Sequence, residues 1–322
     1  MNILIAGELN LDLILQNYRS FPALGREVLV DDVTLTMGSA SAICACGLAK
    51  LGNAVTFAGK VGSDTWGELC KSKLASCGVD ISRVIVDPAL KTGITVSITS
   101  PTDRALVTYP GASTALQASD FERESFRGFQ HLHISSFFIQ QGLRPGIKQL
   151  LGLASECGLT TSLDPGYDPD EKWGRDLLEA LTEVDVFFPN EVELEGVTGL
   201  RDHEEALRSV ANGRTITVVK LGTDGCMTLD AGNSVTIPAF LVKPVDTTGA
   251  GDSFNAGFLH AWLRGAPLRD ALTFAAACGA LSTLSSGGTS AQPTEQEARS
   301  FLAEHFLAGS AARRAQPIGE RI

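Results

Sequence analysis

The chain has 322 residues, 44% hydrophobic and 20% charged, which fits one large α/β domain or two ordinary ones with a core that needs no metal or disulfide staple. Its formal net charge of −11 argues against non-specific nucleic-acid binding, which feeds on a Lys/Arg surplus. The seven cysteines (Cys44, Cys46, Cys70, Cys77, Cys157, Cys226 and Cys278) are scattered and lack any C-x-x-C spacing, so they read as small hydrophobes of a reducing compartment.

In chain order, residues 2–7 predict a buried strand. Glu8 and Asp12 interrupt the apolar run and no basic segment precedes it, so a first strand is expected there rather than a signal peptide. Residues 39–52 predict a helix of small residues stopped by Gly52, 55–61 a strand, and 64–78 a helix stopped by Gly78. Strands at 131–134, 160–163, 184–189 and 216–221 alternate with helices near 145–157, 172–181 and 191–196. His131 and His133 sit in the first of these strands with no third ligand nearby and read as structural. Helices at 251–264, 268–286 and 294–307 close the pattern. Such alternation predicts a mostly parallel sheet covered on both faces. Two stretches break it. Residues 13–37 and 92–110 are strand-like, with period two in Ile94, Val96 and Ile98, and no helix follows either. They predict antiparallel pieces projecting as a small lid, bounded at about 13–37 and 91–110. One domain is expected over residues 1–308, with a frayed tail at 309–322. No segment approaches the roughly 20 apolar residues of a membrane span, so residence in the cytoplasm is the default expectation.

Two common phosphate-binding devices are absent. Gly59-Lys60 is followed by Val61, which does not make a G-x-x-x-x-G-K-[ST] loop, and Gly7 is followed by Glu8 where a G-x-G-x-x-G turn would continue. The stretch VDTTGAGDSF (residues 245–254) offers another. Gly249, Ala250 and Gly251 leave little side chain, so a ligand can approach the backbone closely. If a helix begins there, its free N–H groups and dipole make an anion site. Phe254, Phe258, Leu259 and Trp262 then fall at helical spacing. By itself the stretch reads equally as a glycine-rich turn with Asp252 as a helix cap.

The run DTTGAGDSFNAGF resembles the C-terminal signature of the ribokinase-like carbohydrate kinases, also called the phosphofructokinase B family. Other features stand in the family's order: GELNLD at 7–12, a glycine-led helix over 37–52, KVGSDTWG at 60–67, PNEVE at 189–193 and KLGTDG at 220–225. The resemblance runs from residue 1 to about 307. It implies a three-layer α/β/α fold with a small β-sheet lid and transfer of the ATP γ-phosphoryl group to a hydroxyl of a non-phosphorylated sugar or sugar derivative. In that reading Gly249, Ala250 and Gly251 form an anion hole and Asp252 accepts the hydroxyl proton. Lys220, Gly222, Thr223 and Gly225 contact the nucleotide. Asn190 and Glu193 serve Mg²⁺ through water, or form a capping box, or both. Asp246 and Thr248, with a loop near 285–288, are candidates for a K⁺ site. Asp12, Gly38, Ser39, Ile43 and Gly111 belong to the sugar half. A homodimer through the lid is also implied.

The sugar half departs from the family pattern. Ser39 replaces the second glycine of its pair, Ile43 stands where many members have Asn, and Gly166 and Asp168 replace the Asn and Arg of D-P-N-x-R. Ile43 and an apolar lid leave room for a base ring, so a nucleoside kinase is the alternative within the fold. A catalytically inert ligand-sensing relative is the alternative outside it. A sugar-phosphate acceptor is disfavoured, since no Arg/Lys cluster lies near Asp12 or Gly38 in the sequence.

Overall fold

The computed structural model describes residues 1–100 and 104–314. Strands β1 (Asn2–Ala6), β2 (Asn10–Gln16) and β3 (Asp32–Met37) precede helix α1 (Ala40–Lys50). β4 (Ala54–Gly62), α2 (Thr65–Ser76), β5 (Asp80–Asp87), β6 (Gly93–Thr99) and β7 (Arg104–Tyr109) follow. Then come β8 (His131–Ile134), α3 (Ile147–Glu156), β9 (Thr160–Leu163), α4 (Arg175–Ala180), β10 (Val186–Phe187), α5 (Glu191–Thr198), α6 (His203–Ser209) and β11 (Ile216–Lys220). The hairpin β12 (Cys226–Asp230) and β13 (Asn233–Ile237) leads to α7 (Ala250–Trp262), α8 (Leu268–Ser282) and α9 (Glu295–Arg314).

Nine strands form one sheet in the order β13-β12-β11-β10-β9-β8-β1-β4-β5. It is parallel from β11 to β5 and antiparallel in the β11–β12–β13 hairpin. Alternation along β1 explains the layers. Ile3 and Ile5 enter one core with α1, α2, α7 and α8 residues, whereas Leu4 and Ala6 enter a second core against α3 and α4. Both faces are therefore apolar, as a covered parallel sheet requires. Full burial of a Leu or Phe side chain contributes about 1.5–3 kcal/mol over exposure. α1 is built almost entirely of buried small residues. This lets Gly47 lie so close to α7 that a Cβ there would sit 2.9 Å from the Ala256 Cβ.

The second sheet has the order β3-β2-β6-β7. It corrects two expectations. The central pair, β2 with β6, is parallel, because both strands leave the main sheet in the same direction. The lid also begins at Asn10, ahead of the expected start at about residue 13, so Asp12 lies within a lid strand. The register sets its two faces. Asp12 pairs with Thr36 and Thr95, and Thr95 with Thr108, giving one polar row. Leu13 pairs with Leu35 and Val96, and Val96 with Val107, giving an apolar row on the opposite face. On that face Val33, Leu35 and Val107 are exposed.

β5, α6 and the β12–β13 hairpin were not expected. β5 carries charged residues on a half-exposed edge, and the hairpin turns through Ala231 and Gly232, both at positive φ (48° and 82°), without the usual Asn-Gly signal. The helices expected at 172–181 and 268–286 are shorter, over Arg175–Ala180 and Leu268–Ser282. α9 reaches Arg314, so it passes the expected start of the tail, and residues 315–322 lie outside the described residues. No helix among the described residues is long and apolar enough to cross a membrane.

Candidate active site

The site gathers at the C-terminal ends of the parallel strands, where open α/β sheets bind ligands. Glu8 follows β1, Ser136 follows β8, Asp164 follows β9, Asn190 follows β10 and Lys220 ends β11. The chain leaves β1 toward β4 on one side and β8 lies on the other, and Glu8 bridges this crevice. Its carboxylate accepts hydrogen bonds from Ser136 Oγ (2.8 Å), Ser41 Oγ (2.6 Å) and Ser41 N (3.2 Å). Burial pushes its pKa up, and these hydrogen bonds oppose the rise.

α7 begins at Gly249, which caps it in the left-handed region (φ 72°). A Cβ there would lie 2.8 Å from Ile43 Cγ2 and 2.9 Å from Gly288 Cα, so glycine is required by both conformation and space. Asp252 is the third residue of the helix and makes no side-chain cap. This removes the capping alternative for Asp252, because the αL glycine already turns the chain into the helix. The Ala250 N–H reaches back to Thr247 O (3.2 Å). Burial pushes the Asp252 carboxyl far above the ordinary range. The charges of Asp164, Glu8 and Glu193 add to this, and Lys220 opposes it.

Lys220 extends from β11 to within 3.5 Å of where a Gly251 Cβ would sit. Its ammonium binds Asp164 Oδ2 at 2.6 Å. Burial alone would discharge it, but Asp164 and Glu193 hold its pKa above the ordinary value. Asp164 stays ionised despite burial because of the Lys220 charge and the hydrogen bonds from Lys220 and Asn255.

Asn190 and Glu193 form the capping box foreseen as one alternative. Asn190 Oδ1 accepts the Glu193 N–H and Glu193 Oε2 accepts the Asn190 N–H, both at 2.8 Å. Glu193 is nonetheless buried beside Asp164 and Lys220, and its pKa is pushed up to about 7, by burial first and then by the Asp164 charge. The box uses Oε2. Among the described residues no cluster of three acidic, His or Cys ligands stands here, and the Glu193 carboxylate and Asn190 amide offer hard oxygens of the kind that hold Mg²⁺ through its waters.

A cavity of about 320 Å³ opens beside α7. Lys220, Gly222, Thr223, Gly225, Ala250 and Gly251 line it, as the nucleotide reading expects. Phe240, Leu241, Ala276, Gly279 and Ala280 line it too, and none of these was foreseen. Their sequence context is an ordinary loop and an ordinary helix, so only the fold identifies them. Gly225 (φ 97°) is fixed by space as well, since a Cβ there would meet Ala239 N and Pro238 C at 2.7 Å.

Asp246 joins two loops. Oδ1 accepts the Thr248 N–H and Oδ2 the Gly287 N–H, both at 2.9 Å. This brings 246–248 against the loop at 285–288, an oxygen-bearing neighbourhood of the kind a monovalent cation uses.

On the sugar side, Asn10 Nδ2 donates to Thr95 Oγ1 (3.3 Å) and Asp12 Oδ1 (3.4 Å). Gly38 lies against the Asp12 carboxylate. Ser39 (φ 76°) caps α1 through Ala42 N at 3.1 Å and donates to Glu8 O. Ile43 is buried (3% exposed) beneath Gly249 and Gly288, so it is a wedge under the anion-hole turn more than a surface facing the acceptor. Gly111 (φ 52°) opens a turn whose Ala112 N–H donates to Lys91 O at 2.8 Å, at the root of the lid. Asp168, which replaces the family's Arg, binds the backbone N–H groups of Asp170, Lys172 and Trp173 and locks its own loop. Sequence reading missed Glu8, Asn10, Thr95 and Asn255. A carboxylate interrupting an apolar run was the one signal available for Glu8.

The chain matches the pfkB family carbohydrate kinase description over residues 1–295. It is 33% identical to the ATP-dependent ribose-1-phosphate kinase of Halopiger xanaduensis, covering 95% of this chain and 99% of that one. Among solved structures, Arabidopsis thaliana ribokinase complexed with ribose and ATP superposes with a TM-score of 0.82 at 25% identity, covering 93% and 98% of the two chains. A Vibrio cholerae fructokinase double mutant in its fructose-, ADP- and potassium-bound form superposes with a TM-score of 0.77 at 28% identity, covering 94% and 98%. The fold, the match across nearly the whole chain and the glycine turn ahead of Asp252 lead to one assignment: this chain belongs to the pfkB family of carbohydrate kinases.

Proposed function

We propose that the protein transfers the γ-phosphoryl group of ATP to a hydroxyl of a non-phosphorylated sugar or sugar derivative, with Asp252 as the base. One observation carries this reading. Asp252 stands in the first turn of α7, between the apolar cavity lined by Ala250 and Gly251 and the contact chain Gly249–Ile43 of α1 that leads through Gly38 to Asp12. ATP would lie in the cavity, with its adenine against Phe240, Leu241 and α8 and its phosphates toward Lys220 and the Gly251 N–H. The sugar would lie under the polar row of the lid, its hydroxyls on Asp12 and Asn10. The reacting hydroxyl gives its proton to Asp252 as the phosphorus–oxygen bond forms, and ADP leaves. Because such a transition state is loose and anionic, the residues mainly position groups and hold charge. The pKa of Asp252 above the ordinary carboxylate range suits it to this work.

Asn190 and Glu193 would hold Mg²⁺ through water. When bound, the ion offsets phosphate charge and the surplus of buried carboxylate. K⁺ at Asp246 and Thr248 is part of the proposal, supported by the potassium named with the Vibrio cholerae fructokinase. So are a cytoplasmic location, a kinase domain spanning 1–308, and a homodimer that covers the exposed apolar face of the lid at Val33, Leu35 and Val107.

A second reading is favoured by the ribose-1-phosphate kinase relative, namely a sugar 1-phosphate as acceptor. Near the lid root, Lys60 is held by Asp120 (2.8 Å) and Ala115 O (2.9 Å), so it is committed within the protein. ADP release measured with ATP and Mg²⁺ over a panel of ribose, fructose, ribose 1-phosphate and nucleosides decides between them. Turnover of ribose or fructose at the highest kcat/KM supports the proposal. Preference for ribose 1-phosphate or a nucleoside replaces the substrate, and silence across the panel revives an inert, ligand-sensing role.

A further inference from the structure

Asp164 and Asn255, which the proposed mechanism does not use, form a closed triangle with Lys220. Asp164 Oδ2 accepts from Lys220 Nζ and from Asn255 Nδ2, both at 2.6 Å, and Asn255 Oδ1 lies 3.5 Å from the same ammonium. Asp164 Oδ1 is taken by the Gly166 N–H at 3.0 Å, and the Asp164 N–H by Ile134 O at 2.9 Å. The carboxylate is therefore fixed from every side. Asp164 is 4% exposed and Asn255 is fully buried. The three residues come from the ends of β9 and β11 and from α7, so the triangle ties the sheet to the helix that carries Asp252. Asn255 is three residues after Asp252, which puts both on one face of α7.

The ammonium of Lys220 has a choice of partners. A lysine carries its point charge on a flexible four-carbon stem, so the ammonium can swing between nearby anions. Three carboxylates interact with it electrostatically: the buried Asp164 and Glu193 and the half-buried Asp252. Pairing with Asp252 would occupy the oxygen that must accept a proton. Pairing with Glu193 would draw the charge toward α5. In the observed arrangement the ammonium lies on Asp164 and beside Gly251, at the edge of the nucleotide cavity.

We propose that Asp164, tethered by Asn255, is a positioning residue that holds the Lys220 ammonium beside the first turn of α7 and off Asp252, ready for the transferred phosphoryl group. This rests on the phosphoryl-transfer reading of the same site. The neighbouring departures fit it. Gly166 and Asp168 no longer supply the Asn and Arg side chains of the family's D-P-N-x-R run, and Asp168 is spent on its own loop. What remains of that run in this chain is a carboxylate turned to a lysine.

The test is a double-mutant cycle on Asp164→Asn and Lys220→Met, which isolates the coupling between residues in contact. Each single variant is expected to lose kcat on the order of 10²-fold, the loss typical of one preorganised charge or donor, with the sugar KM within about twofold of wild type. The double variant is expected to lose no more than about threefold beyond the worse single variant. Multiplicative losses overturn the proposal, and so does an increased Mg²⁺ requirement caused by Asp164→Asn in the Lys220→Met background. Circular dichroism and melting check the fold. If Asp164→Asn fails to fold, Asn255→Ala takes its place in the cycle, with an expected loss of about tenfold that disappears in the Lys220→Met background. Wild-type turnover in the same assay tests the kinase reading separately. If no sugar is turned over, that reading fails, and the cycle is read from ATP affinity by calorimetry. Equal weakening in both single variants with no further loss in the double supports the triangle, and additive weakening overturns it.

Discussion

A side chain at Gly38 would occupy the space of the Asp12 carboxylate. The two residues face each other where the lid meets α1, and Asn10 Nδ2 closes the same corner at 3.4 Å from Asp12 Oδ1. The requirement for glycine here is therefore spatial: it leaves room for the Asp12 carboxylate at the corner where the proposed function seats the sugar. Gly38→Ala is expected to raise the sugar KM by about tenfold or more, the worth of a displaced hydrogen-bonding group, with the ATP KM little changed. Steady-state kinetics with each substrate varied checks this. A rise in both KM values would place Gly38 outside the sugar half.

In the proposed base role, Asp252→Asn removes the proton acceptor but keeps the size of the side chain. A positioned base contributes about 10²–10⁴-fold, so kcat is expected to fall by that much while ATP still binds. Calorimetry with ATP and ADP release with sugar read the two separately. Near wild-type turnover would remove Asp252 from its role.

The sign of the pH dependence follows from burial. Burial and the neighbouring Asp164 raise the Asp252 pKa, so its protonated form persists to higher pH. As the proposed base, Asp252 works in its ionised form. The acid limb of kcat/KM is therefore expected above the ordinary Asp value of about 3.9, with activity lost as pH falls through it. A profile flat down to pH 5 would count against this environment.

Glu193 makes a separate prediction for the metal-free protein. Its pKa rises from 4.5 to about 7 on folding, mainly through burial. Between these values the folded state binds more protons than the unfolded state, so stability falls as pH rises through the window. Glu193→Gln is expected to flatten that fall, so the variant gains on wild type at pH 8 relative to pH 5. Melting in EDTA across the range measures it.

Asp246 links the 246–248 turn to Gly287 by two hydrogen bonds of 2.9 Å. In the K⁺ reading, wild-type turnover is higher in KCl than in NaCl of equal ionic strength, and Asp246→Ala loses that difference. Equal rates in both salts for the wild type would dismiss the cation.

Much of this was legible in the chain itself. Strand–helix alternation with apolar runs dictates a covered parallel sheet, because a strand buried on both faces must be apolar throughout. The turn at Gly249–Gly251 and Asp252 behind it were visible because glycine spacing at a helix start is a local property of a few consecutive residues. The Asn190–Glu193 box was visible for the same reason. The parallel pairing of β2 with β6, the polar row from Thr36 through Asp12 to Thr108, and the Phe240–Leu241 wall of the cavity were decided only by tertiary structure. Each depends on register or packing between segments far apart in the chain. So does the partner of Lys220. The resemblance led to the expectation of a lysine near a phosphate, but its charge settles on Asp164, 56 residues away along the chain, because folding brings the ends of β9 and β11 together in a buried space where an ammonium must have a counter-charge.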